Sequence, residues 1–207
     1  MFHIHNDNSK PIMLVGNTQW NMEVFNGINH FRDVRIISIE EFELLENKDD
    51  YQYFCAGTDT SFRKMVVDKI TSLVDEPNFP SFVSKSVHAH PAFKVGKNCL
   101  VCAFVSVSGP TVLKDHCVIS HFVQFTHVKS VLEDYCYIGP YTSIVDCHLA
   151  RGTWCGHHCR FLRAFTVEWS QFSMNSRVLN TTFKKSGTYK NNRMIDEGNC
   201  LNHSLKD

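Results

Sequence analysis

The sequence predicts a small α/β unit joined to an all-β solenoid, and three observations predict it. From Val83 to Leu179 an apolar or small residue returns at every sixth position (Val83, Ala89, Val95, Val101, Val107, Leu113, Ile119, Phe125 and onward), with only Ser143 and Ser173 polar. A six-residue period fits neither a 3.6-residue helix nor a two-residue strand alternation; it fits a solenoid whose flat sides are short strands of one repeat each. Upstream of residue 77, short apolar runs alternate with helix-like segments, the pattern of a parallel sheet. Past Leu179 the period is lost and the chain turns polar.

Taken in order, residues 11–15 (Pro-Ile-Met-Leu-Val) read as a strand that enters the turn Gly16-Asn17-Thr18. A helix-like segment over 20–31 leads to a second strand over 34–39, which completes a βαβ unit. Residues 51–56 form a third strand that ends at Gly57-Thr58-Asp59-Thr60, where Asp59 or Thr60 can cap a helix over 62–73. Ligands bind such sheets at the carboxyl ends of the strands. Gly16, Gly57 and the second strand end near Glu40 therefore outline a crevice. Residues 77–81, with two prolines, connect to the solenoid. The domains expected are 1–76, 77–183 and a polar tail or linker over 184–207, and His3 and His5 are expected in a disordered terminus.

The 207 residues carry 21 Lys and Arg against 21 Asp and Glu. A net charge of zero gives no electrostatic reason to expect nucleic acid. No apolar run reaches membrane-spanning length, and the chain is read as a soluble, cytoplasmic protein. Nine cysteines are present. Cys99, Cys117, Cys147 and Cys159 share one hexad phase, which argues for small buried side chains rather than a disulfide framework. Cys155 and Cys159 flank His157-His158, but both fall on inward phases, so no metal is expected there. His121, His127, Glu133, Gly139 and His157 also share a phase.

The order of these parts resembles the left-handed β-helix (hexapeptide-repeat) sugar acetyltransferases. Within them it looks like the N-acetyltransferases of UDP-4-amino-4,6-dideoxy sugars, with sialic-acid O-acetyltransferases as relatives. The residues that carry the likeness are Tyr53-Phe54-Cys55-Ala56-Gly57-Thr58-Asp59, Arg63-Lys64, Phe82 through Val87, and Cys117-Val118-Ile119-Ser120-His121 through Phe125-Thr126-His127 to Val131-Leu132-Glu133-Asp134. The resemblance implies a Rossmann-like βαβαβ domain followed by a left-handed parallel β-helix, acetyl-CoA as co-substrate, a nucleotide-sugar substrate, and a homotrimer with active sites between subunits. It implies His127 as the general base. Gly16, Asn17, Thr18, Glu40, Gly57, Thr58 and Asp59 would meet the nucleotide-sugar, with Ser120 and His121 on the substrate side.

On the cofactor side the resemblance places Cys136 where relatives carry a second histidine; a backbone N–H between Gly139 and Asp146 is the expected oxyanion donor, and Lys184 and Lys185, just past the last coil, are placed to meet the phosphates of the coenzyme, since the loop that holds it in relatives has no counterpart here. The first turn keeps one glycine. Val128 stands where an acidic residue usually follows the base, which leaves Glu133 or a backbone carbonyl to orient the imidazole. Three other readings stay open: O-transfer to a sialic-acid-type sugar, a non-catalytic β-helix that binds a nucleotide-sugar, and a zinc-dependent carbonic-anhydrase-like trimer suggested by the spacing of His116 and His121. The last would leave the amino-terminal domain without explanation.

Overall fold

The computed structural model describes residues 1–16, 18–29, 32–126 and 128–197. After β1 (Phe2–His5), the amino-terminal part runs β2 (Ile12–Val15), α1 (Gln19–Ile28), β3 (Val34–Ile37), α2 (Ile39–Leu44), β4 (Gln52–Phe54) and α3 (Thr60–Leu73). Its sheet is parallel with order β3-β2-β4. The central strand β2 is buried along its whole length, as a parallel strand covered on both faces must be, and the edge strand β4 is buried throughout as well. The second strand stops earlier than expected. Ser38 and Glu41 form a capping box that starts α2, so the residues at 38 and 39 leave the strand.

The solenoid begins at β5 (Ser81–Ser84) and winds as a three-sided parallel helix. One side stacks β5, Leu100–Val101, Val118–Ile119, Tyr137–Ile138, Trp154–Cys155, Gln171–Phe172 and Thr188–Lys190 in that order. The other sides carry, among others, Ser106–Val107, Gln124–Thr126, Ser143–Val145 and Arg160–Phe165, then Thr111–Leu113, Ser130–Leu132 and His148–Leu149.

Three expectations are corrected here. β1 pairs antiparallel with β5, His3 opposite Val83 and His5 opposite Ser81, so both histidines lie in a strand; pairing satisfies the outer edge of the first coil. Residues 184–197 are not a featureless tail. Thr188–Lys190 adds to the sheet in parallel and Arg193–Asp196 folds back on it, with Tyr189 packed under Phe172 and Phe183. The hexad also slips. Leu113 pairs with Leu132 and Phe125 with Ile144, so the inward residues are Leu132, Ile138 and Ile144 rather than Val131, Tyr137 and Ser143. One extra residue therefore lies between Phe125 and Leu132. The phase recovers at Leu149, and Phe172 and Val178, not Ser173 and Leu179, point inward in the last coils.

The corners hold non-glycine residues with positive φ. Phe104, Phe122, Tyr141 and His158 stack their rings along one corner at centroid spacings of 5.0, 4.9 and 4.9 Å. Left-handed backbone costs each such residue roughly 1–2 kcal/mol, which ring stacking offsets in part. A second corner runs Asn98, His116, Tyr135, Gly152 and Trp169, all with positive φ.

The α/β part docks on the first side of the solenoid. Leu14, Val24, Ile28 and Phe54 share one cluster with Phe82, Leu100, Val118 and Tyr137. Beside it, the fully buried Arg63 spans both parts: its guanidinium donates to the Gly57 carbonyl, to Tyr135 O at 2.7 Å and to Cys136 O at 3.2 Å. No helix among the described residues is long and apolar enough to cross a membrane.

Candidate active site

The strand ends of the α/β part meet as expected. Gly16 takes φ +93° and donates its N–H to the Ile37 carbonyl at 2.9 Å. Thr18 caps α1; its hydroxyl accepts from the Asn21 N–H at 3.0 Å and donates to the Ala56 carbonyl at 2.6 Å. Sequence reasoning missed Asn21. This buried amide donates to the Val15 and Gly16 carbonyls and accepts from the Ala56 N–H, stitching the ends of β2 and β4 together. Phe62 closes over the turn, for a Cβ on Gly16 would lie 3.1 Å from its ring. Asn17 lies outside the described residues.

Of the other substrate-side residues, Asp59 caps α3 by accepting from the Ser61 and Phe62 N–H groups at 2.8 and 3.0 Å, and the Gly57 carbonyl is engaged by Arg63. Thr58 is exposed between them. Glu40 stands apart in the first turn of α2, where backbone and Ser38 hydrogen bonds hold its carboxyl below the usual range.

At the junction of the two parts, Ser120 is buried and hydrogen-bonded to Tyr137. His121 is half-buried, with its Nε2 3.1 Å from Glu23 Oε1 and its ring stacked on Trp20 at 6.1 Å. Tyr137 and Trp154 continue the aromatic floor. His121 and Gly139, which share a hexad phase, do not stack on successive coils. Ile119 pairs with Ile138, which sets Ser120 beside Gly139 and His121 beside Pro140.

His127 lies outside the described residues. The strand Gln124–Thr126 leads to it, and the exposed Val128 follows. Glu133 is engaged elsewhere: His148 Nε2 lies 2.9 Å from its Oε1, and the Lys114 ammonium pairs with its Oε2. Partial burial pushes this carboxyl up, but the hydrogen bonds from Lys114 and His148 outweigh it and hold the group below its usual range. His148 was not singled out from the sequence. Its partner lies on the preceding coil, a relation visible only once the register is known.

The cofactor-side positions are corrected in two respects. Cys136 is fully buried inside the solenoid, its thiol donating to the Ala150 carbonyl at 3.3 Å, because the slipped hexad turns it inward. It cannot touch a ligand. The N–H groups of Gly139, Tyr141 and Ser143 already donate to Cys155, His121 and Cys159, so an oxyanion donor in the run to Asp146 is none of these. Asp146 turns a corner with its carboxylate 3.7 Å from Arg163. Lys184 and Lys185 are exposed, Lys185 facing Glu197 at 3.7 Å. A stronger cationic group is Arg160 and Arg177, directly paired on adjacent coils at a cavity of about 260 Å³ shared with Tyr141, His158 and Asn175. Neither arginine has a carboxylate partner among the described residues.

No protein-family model and no curated protein matches the chain. Solved structures do. The acetyltransferase domain of PglB from Neisseria gonorrhoeae, in complex with acetyl coenzyme A, superposes with a TM-score of 0.72 at 11% identity over 91% of this chain and 100% of that one. PerB from Caulobacter crescentus, in complex with CoA and GDP-perosamine, gives 0.72 at 12% identity over 94% and 99%. A histidine-to-asparagine mutant of perosamine N-acetyltransferase from the same organism, with the same ligands, gives 0.76 at 12% identity over 94% and 98%. This chain therefore has the fold of these acetyltransferase structures, the left-handed parallel β-helix.

Proposed function

We propose that the chain is an acetyl-CoA-dependent N-acetyltransferase acting on the amino group of a nucleotide-linked amino sugar. The observation that carries the reading is the similarity over more than nine-tenths of the chain, both parts included, to structures that hold acetyl coenzyme A or CoA with GDP-perosamine. In this reading the sugar amine attacks the thioester carbonyl, a base takes the amine proton, the C–S bond breaks and the thiolate leaves with a proton. His127 is the base, on the strength of the motif from Cys117 to His127. The extra residue between Phe125 and Leu132 marks the same segment as a departure from the regular coil. The Arg160–Arg177 pair suits the phosphates of the coenzyme, with the rings of Tyr141 and His158 alongside.

One observation favours a different base. His148 is held by a carboxylate at 2.9 Å, the arrangement that orients a catalytic imidazole. Thiol release from acetyl-CoA, measured at saturating amino sugar, separates the two. The proposal expects His127→Ala to lose roughly a hundred- to ten-thousand-fold in turnover with substrate binding nearly unchanged, and His148→Ala to lose much less. The reverse order assigns the base to His148.

A further inference from the structure

We propose that Glu23, Cys102 and His121 form a zinc site between α1 and the first side of the β-helix. The three side chains come from distant parts of the sequence, and their ligating atoms all lie within 4.8 Å of one another. Carboxylate, thiolate and imidazole are the donor set of tetrahedral zinc with three protein ligands and one open position. His121 Nε2 already faces Glu23 Oε1 at 3.1 Å, and the Trp20 ring fixes the imidazole plane.

Cys102 is the buried cysteine whose sulfur lies beside a carboxylate and an imidazole. The thiols of Cys99, Cys117, Cys136, Cys147 and Cys159 each donate to a backbone carbonyl inside the solenoid. Cys102 is as fully buried but sits in the cluster between the two parts; its thiol, like those of Cys55 and Cys155, makes no hydrogen bond among the described residues, and of these three it is the one grouped with a carboxylate and an imidazole. A thiol is a weak donor that tolerates such burial, so what marks this one is the convergence of three ligand atoms within 4.8 Å. Binding balances simply: the thiol releases its proton to solvent as the sulfur–metal bond forms, and the thiolate and carboxylate together neutralise the dication. Glu23 and His121 are each about one-third exposed, so the fourth position opens to solvent between the two parts. The spacing of these residues has none of the regularity of a metal motif, which is why the sequence did not show it.

The test is titration of the chelator-stripped full chain with cobalt(II), followed by zinc. The proposal expects one equivalent of cobalt to bind with tetrahedral bands and a thiolate-to-cobalt charge-transfer band, and zinc to displace it. Cys102→Ser should abolish the charge-transfer band. Glu23→Gln and His121→Asn, on partly exposed side chains that leave the core intact, should each weaken binding by at least about tenfold. Absence of stoichiometric binding, a charge-transfer band that survives Cys102→Ser, or affinity unchanged in both other variants overturns the site.

Discussion

His116 shows how a single side chain is set by its surroundings. Its Nδ1 lies 3.0 Å from the Asn98 amide, and its ring stacks on Tyr135 at 4.6 Å. Burial pushes its pKa down to about 4, against a usual value near 6.5, so the folded protein keeps it neutral. Between those values the unfolded chain holds more protons. Stability from this group is therefore complete above about pH 6.5 and is lost as the pH falls toward 4, by on the order of 3 kcal/mol. Asparagine accepts the positive φ at this corner, so His116→Asn should fold and show a shallower pH dependence of unfolding free energy in that window. An unchanged slope in denaturant titrations at pH 4.5 and 7 would contradict the assignment. The same contacts remove His116 from the zinc pairing with His121 that their spacing suggested.

Among the elements, the corners carry the sharpest sequence requirements. Gly152 has φ +69°, and a Cβ there would fall 2.2 Å from the Trp169 ring. Gly152→Ala should cost about 2–4 kcal/mol, whereas Gly57→Ala, whose Cβ meets only the Thr18 methyl at 3.7 Å, should cost little in stability. Denaturant midpoints read both, and equal losses would mean that the corner is not constrained. Arg63 joins elements across the two parts. Arg63→Met should cost about 2–4 kcal/mol by leaving the Gly57 and Tyr135 carbonyls unpaired, and should separate unfolding of the α/β part from that of the solenoid. A single unchanged transition would count against that coupling. The hexad was legible in the sequence because the inward positions are apolar throughout. Its slip was not, since one added residue in a polar corner changes no composition. The capping box at Ser38 and Glu41 was present in the sequence but masked by the apolar run that precedes it.

For the whole molecule, we propose a homotrimer with the site between subunits, an arrangement that the stacked, exposed aromatic corner of Phe104, Phe122 and Tyr141 supports. Sedimentation at micromolar concentration should show a homotrimer, and a monomer would remove the second wall of the site. That the ends of β2 and β4 meet was legible from Gly16, Gly57 and Asp59. The contacts between parts, Glu23 with His121 and Arg63 with Tyr135, were not, because nothing local in either segment encodes its partner. The most direct measurement is acetyl-CoA thiol release in the presence of UDP- and GDP-linked amino sugars, with the matching hydroxyl sugars and free sialic acid as controls. The account predicts release that depends on the amine and acetylates its nitrogen. Release with sialic acid alone, or none with any amino sugar despite bound nucleotide-sugar, would contradict it.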